Sequence, residues 1–129
     1  MDADEKRIKL DQITKLIIGS AQRVSTVFGC GFLEKVYENA LMIELKRSGL
    51  TVQSQTPIQV KYSGEVVGDY LADILVEKEV LVELKAVIAL DKIHQAQCMN
   101  YLKASQLSVC LLINFGLPKL EIKRIVNGY

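Results

Sequence analysis

The sequence has 129 residues, half of them apolar and 24% charged, with a formal net charge of +1. The length suits one globular domain, 1–129, with a core of useful size. The near-neutral charge excludes a general electrostatic pull on nucleic acid, so any phosphate binding must come from a local patch or a metal ion.

Residues 2–28 read as a long helix, because Leu10, Ile13, Ile17, Ala21, Val24 and Phe28 recur at three- and four-residue steps and make one apolar stripe. Gly29-Cys30-Gly31 stops it. A second helix is expected over residues 32–48, with Val36, Ala40, Ile43 and Leu45 on its buried side and Gly49 just past its end. Glu34 falls in its first turn, where the helix dipole favours a carboxylate.

Residues 51–62 read as extended, and Pro57 argues for an edge position or an irregularity, not a central strand. Ser63-Gly64 is a turn signal leading into a strand over 65–76, and a further strand follows over 80–86. A third helix is expected over 91–105. On it His94, Gln97 and Tyr101 share one face, and Ala96, Met99 and Leu102 supply the packing side. The apolar run 107–115 predicts a strand buried on both faces and parallel to a partner in the meander. After a turn at 116–118, Leu120, Ile122, Ile125 and Val126 form the last strand. The fold class is α/β (α+β), a mixed sheet flanked by helices.

The stretch 73–85 carries the chemistry. Folded about Lys78, Val76 faces Val80, and Asp73 falls opposite Glu83. Strand alternation puts Glu83 and Lys85 on one face. Two carboxylates and an ammonium then share one patch of sheet. Like charges placed directly opposite destabilise a sheet, and an unpaired buried carboxylate costs on the order of 5 kcal/mol. A divalent cation would remove both objections, since Mg²⁺ takes one or two carboxylates together with water and phosphate. The alternative is a solvated face on which Lys85 neutralises the two acids.

Cys30, Cys98 and Cys110 are odd in number and widely spaced, which points to reduced thiols and no zinc site. The charged first residues carry no secretory signal, and no apolar run reaches the length of a membrane span, so a cytoplasmic protein without membrane contact is expected. His94 is the single histidine and has no paired nucleophile, which argues against a Ser/His or Cys/His hydrolase.

Several short patterns coincide. Residues 31–37 read GxxExxY through Gly31, Glu34 and Tyr37. Asp73 with Glu83-Leu84-Lys85 reads D…ExK, Gln97 to Tyr101 reads QxxxY, and Asn114-Phe115-Gly116 closes a buried strand. Over about residues 13–126 the chain resembles the GxxExxY protein family, a compact branch of the PD-(D/E)XK nuclease superfamily. Ala72 stands where the superfamily's name has proline.

The resemblance implies a restriction-endonuclease-like α-β-β-β-α-β core. It implies Mg²⁺ or Mn²⁺ held by Asp73 and Glu83, with the Leu84 carbonyl and Glu34 completing the set. Lys85 would act on the attacking water and the phosphate charge, and Gln97 and Tyr101 would orient the site or touch nucleic acid. The function so implied is a metal-dependent nuclease that hydrolyses phosphodiester bonds, with DNA the expected partner ahead of RNA. A non-catalytic nucleic-acid-binding or assembly module on the same fold is the alternative. A plain interaction protein, in which these charges form a salt-bridge network, is a third class. A homodimer would help so small a domain cover a duplex, although no residue demonstrates one.

Overall fold

The computed structural model describes all residues, Met1–Tyr129. The elements run α1 (Ala3–Phe28), α2 (Glu34–Arg47), β1 (Val52–Tyr62), β2 (Glu65–Val76), β3 (Val80–Lys85), α3 (Lys92–Ser105), β4 (Val109–Asn114) and β5 (Glu121–Val126). The expected α-β-β-β-α-β order is present as α2 through β4.

The five strands lie in the order β1-β2-β3-β4-β5, with β3 and β4 parallel and every other pair antiparallel. The β3–β4 connection must cross over, and α3 makes that crossing. Every residue of β4 is buried, as its continuous apolar sequence predicts. β1 is an edge strand, consistent with Pro57.

Helices cover both faces of the sheet. α1 and α2 bury Leu10, Ile17, Tyr37, Leu41 and Leu45 against Val80, Val82, Leu84, Leu111 and Ile113. On the other face Cys98, Tyr101 and Leu102 of α3 pack on Leu81, Cys110 and Leu112. The alternation along β3 therefore sends Glu83, which has the parity of Leu81, toward α3.

The caps explain where the helices begin and end. The Asp2 carboxylate accepts from the Glu5 N–H at 2.8 Å and starts α1. The Asp91 carboxylate accepts from the Ile93 and His94 N–H groups, and His94 Nδ1 accepts from the Asp91 N–H at 3.3 Å. This capping box gives the lone histidine a structural task. α2 ends with Leu50 N–H donating to the Leu45 carbonyl and Gly49 N–H to the Lys46 carbonyl. That is a Schellman motif, and Gly49 takes its left-handed position at φ 83°.

The structure corrects several expectations of packing. α2 starts at Glu34, two residues later than the pattern suggests, because residues 29–33 form a loop held by Tyr37. Its buried side is Tyr37, Glu38, Leu41 and Leu45, while Ile43 is exposed and Val36 only half-buried. The Tyr37 ring turns inward to stack on Phe115 and thereby sets the helix rotation. Phe28 ends the α1 stripe at the surface, edge-on to Phe32 and Tyr37. On α3, Ala96 is exposed, and Cys98 and Tyr101 fill the packing side with Leu102.

Candidate active site

The β2–β3 ladder pairs Val76 with Val80, Leu75 with Leu81 and Ile74 with Val82, the register expected from folding about Lys78. It stops there. At the next position the side chains replace the ladder. The Asp73 N–H donates to Glu83 Oε1 at 2.9 Å, and the Leu84 N–H donates to Asp73 Oδ2 at 2.8 Å. Two carboxylates are thus held by the backbone of each other's strand, and the second oxygen of each makes no hydrogen bond within the chain.

β2 also changes face at this point. Ala72 packs in the α3 layer and Ile74 in the α1–α2 layer, although simple alternation would place them together. Opposite Asp73 on β1 stands Gln55 at φ 51°, left-handed backbone inside a strand, where pairing skips from Ser54–Ile74 to Thr56–Ala72. Such conformations are costly for non-glycine residues and gather at functional sites.

Burial, first, pushes the Asp73 carboxyl above its ordinary value, against the lowering effect of the Leu84 N–H. Burial and then the Asp73 charge push Glu83 up to about 8. Glu83 is 4% exposed. Lys85, on the same strand face, makes no ion pair with either acid, so the solvated salt-bridge arrangement is absent. Its charge nonetheless acts on both carboxylates and lowers their pKa values.

Glu34 is exposed at the first residue of α2. One turn later Glu38 is 5% exposed, pairs with Lys35 Nζ at 2.7 Å and accepts from Gln55 Nε2 at 3.1 Å. Of the two glutamates, Glu38 acts more strongly on Asp73. The sequence patterns do not single out Glu38, although its spacing of four from Glu34 places it on the same helix face. No three His, Cys, Asp or Glu side chains are grouped so as to hold a metal ion, so Glu34 does not join Asp73 and Glu83 in such a group.

Gln97 and Tyr101 do meet, with Gln97 Nε2 donating to Tyr101 Oη at 2.9 Å. Burial and then the Glu83 charge raise the Tyr101 phenol, which places it within the field of the acidic pair.

The remaining patterned residues hold the frame. Gly31 has φ 115°, a conformation side chains rarely adopt. Tyr37 Oη donates to the Gly29 carbonyl at 2.7 Å and accepts from the Phe32 N–H at 3.2 Å. Asn114 is fully buried, and its Oδ1 accepts from the Val87 and Gly116 N–H groups. Its Nδ2 donates to the Val87 carbonyl and to Glu121. That clamp fixes the exit of β3 just past Lys85.

The site therefore lies where antiparallel β2 leaves the end of β3, between α2 on one side and α3 on the other. There a buried glutamate and a half-buried aspartate share one end of the sheet with a lysine that pairs with neither. The family model described as the PD-(D/E)XK nuclease superfamily matches residues 11–125, and the chain belongs to that superfamily. No curated protein sequence matches it. The crystal structure of SSO0001 superposes with a TM-score of 0.58 at 16% identity, over 74% of this chain and 50% of that one, which shows a shared fold. The chain thus spans about half the length of SSO0001. An alkaline exonuclease (LHK-Exo) from Laribacter hongkongensis gives a TM-score of 0.48 at 15% identity, over 83% of this chain and 76% of that one.

Proposed function

We propose that the chain, as one domain over residues 1–129, is a metal-dependent nuclease that hydrolyses phosphodiester bonds of nucleic acid, DNA ahead of RNA. The observation that carries this reading is the Asp73–Glu83 pair, a half-buried and a buried carboxylate fixed at the end of a ladder with Lys85 unpaired beside them. Membership of a nuclease superfamily supports it.

The donor set fits a hard divalent cation. Both carboxylates are held above their ordinary pKa by burial and like charge, a cost a cation would offset. Each keeps one oxygen free of the backbone. Two carboxylates with water and substrate phosphate are a common Mg²⁺ environment, so a third acid is not required. In this reading Asp73 and Glu83 hold Mg²⁺ or Mn²⁺, with the Leu84 carbonyl as a further oxygen donor. Such an ion supplies Lewis acidity toward the phosphoryl group and acidifies water.

The chain's own residues do the rest. Lys85 places a point charge where negative charge grows on the phosphate. The backbone N–H groups of Asp73 and Leu84 fix the two carboxylates, so little reorganisation accompanies the reaction. Gln97, held by Tyr101, presents an amide to the strand being cut. Glu38, and at longer range Glu34, add negative potential that strengthens cation capture.

Labelled single-stranded, duplex and branched DNA and RNA, incubated with Mg²⁺ or Mn²⁺, test the proposal. Wild-type cleavage that Asp73→Asn protein lacks is the expected result. Retention of nucleic acid with no cleavage in either metal would replace it with the binding-module reading.

A further inference from the structure

A groove of about 1040 Å³ runs between the β1–β2 hairpin and α3. It begins at Gln97 and Tyr101, which belong to the candidate site, and extends away from it along Tyr70, Asn100, Lys61 and Lys103. Two lysines line it and no carboxylate does, in a chain whose net charge is only +1. The groove therefore supplies the local positive patch that overall composition does not. Tyr70 sits on β2 with 49% of its surface exposed, and its ring leans on that of Tyr101 with centroids 5.7 Å apart. A half-exposed ring braced from behind offers one open face. Amides of Gln59, Gln97 and Asn100 surround it.

We propose that this groove is the track for a single nucleic-acid strand entering the site, with a base stacked on Tyr70 and phosphates on Lys61 and Lys103. The inference rests on the nuclease reading for its direction toward Asp73 and Glu83. The choice of a single strand follows from the aromatic face. Bases inside a duplex stack on one another and present only their edges, whereas an unpaired base offers a face to an aromatic ring. Lysines spaced along the rim meet a backbone without reading sequence, so the track tolerates any sequence.

The test reads binding alone, by fluorescence anisotropy without divalent cation. The probes are labelled oligothymidylate, oligouridylate and a blunt duplex of equal length. At least one single-stranded probe should bind about tenfold more tightly than the duplex. Tyr70→Ala should weaken single-strand binding by about tenfold while Tyr70→Phe keeps it, the size expected for one stacked base. Lys61→Gln with Lys103→Gln should lower the slope of log affinity against log salt by about 1.4, at about 0.7 per lost phosphate contact. Thermal melts of each variant check the fold. Duplex binding as tight as single-strand binding, or no loss in folded Tyr70→Ala protein, would overturn the inference. A chain that binds single strands through Tyr70 and cleaves none would leave the track standing and remove the nuclease reading, so the two fail separately.

Discussion

The Asp73 N–H donates to the Glu83 carboxylate at 2.9 Å, while the Asp73 carboxylate accepts from the N–H that follows Glu83. The two acids therefore take over the pairing of two strands where the regular ladder ends at Ile74 and Val82. They are fixed before any ligand arrives, which is the preorganisation that electrostatic catalysis needs.

Asp73→Asn should abolish cleavage and keep the fold, because an amide oxygen still accepts from the Leu84 N–H while the anionic charge is lost. Lys85→Ala should lower kcat by on the order of 10²-fold or more, the usual effect of removing one preorganised charge-stabilising group. Single-turnover assays with circular dichroism on the same preparations check both.

Magnesium should stabilise the wild-type chain and not the Asp73→Asn variant. A ligand bound by the native state alone at about a hundredfold excess over Kd adds about 2.7 kcal/mol, which is on the order of 10 °C in Tm for a chain of this size. Thermal melts with Mg²⁺ and with EDTA read this directly. Equal Tm values in the two buffers would sink the metal assignment.

The metal-free chain should lose stability as pH rises. Glu83 titrates near pH 4.5 ordinarily and at about 8 in the fold, from burial first and the Asp73 charge second. An acid raised in this way makes the native state hold the additional proton. Its contribution is full below about pH 4.5 and is lost as pH rises through about 8. Melts in EDTA should fall by several degrees across that window, and Glu83→Gln should flatten the trend while keeping an oxygen for the Asp73 N–H.

Glu38→Gln should reduce cleavage more than Glu34→Gln. Glu38 is buried, tied to Lys35 and Gln55, and acts on Asp73 more strongly than the exposed Glu34 does. Parallel kcat/KM measurements on the two variants decide between them.

Gly116→Ala should destabilise the chain by about 3 kcal/mol, at the upper end of overpacking. A Cβ there would lie 2.3 Å from the Val87 carbonyl oxygen and 2.4 Å from its nitrogen, and both are backbone atoms held by Asn114. Urea denaturation gives the value.

Much of the architecture is legible along the chain. The β3 and β4 apolar runs, the Ser63-Gly64 turn and the Val76–Val80 register depend on local pattern, and local pattern fixes them because side-chain alternation and turn chemistry act over a few residues. The same register sets Asp73 opposite Glu83 from the position of the turn alone. The rotation of α2 is not legible, because it is set by Tyr37 stacking on Phe115, a contact between residues far apart in the chain. Glu38 and Gln55 come together only through that rotation and a left-handed residue inside β1, neither of which composition announces. The tyrosine-lined groove likewise depends on how α3 settles over β1 and β2. The sequence by itself determined the elements, the antiparallel meander and the central acidic pair, since those follow from period, turn and charge along the chain. Tertiary packing decided which further residues share the site, because only the placement of helices on the sheet sets distances between side chains remote in sequence.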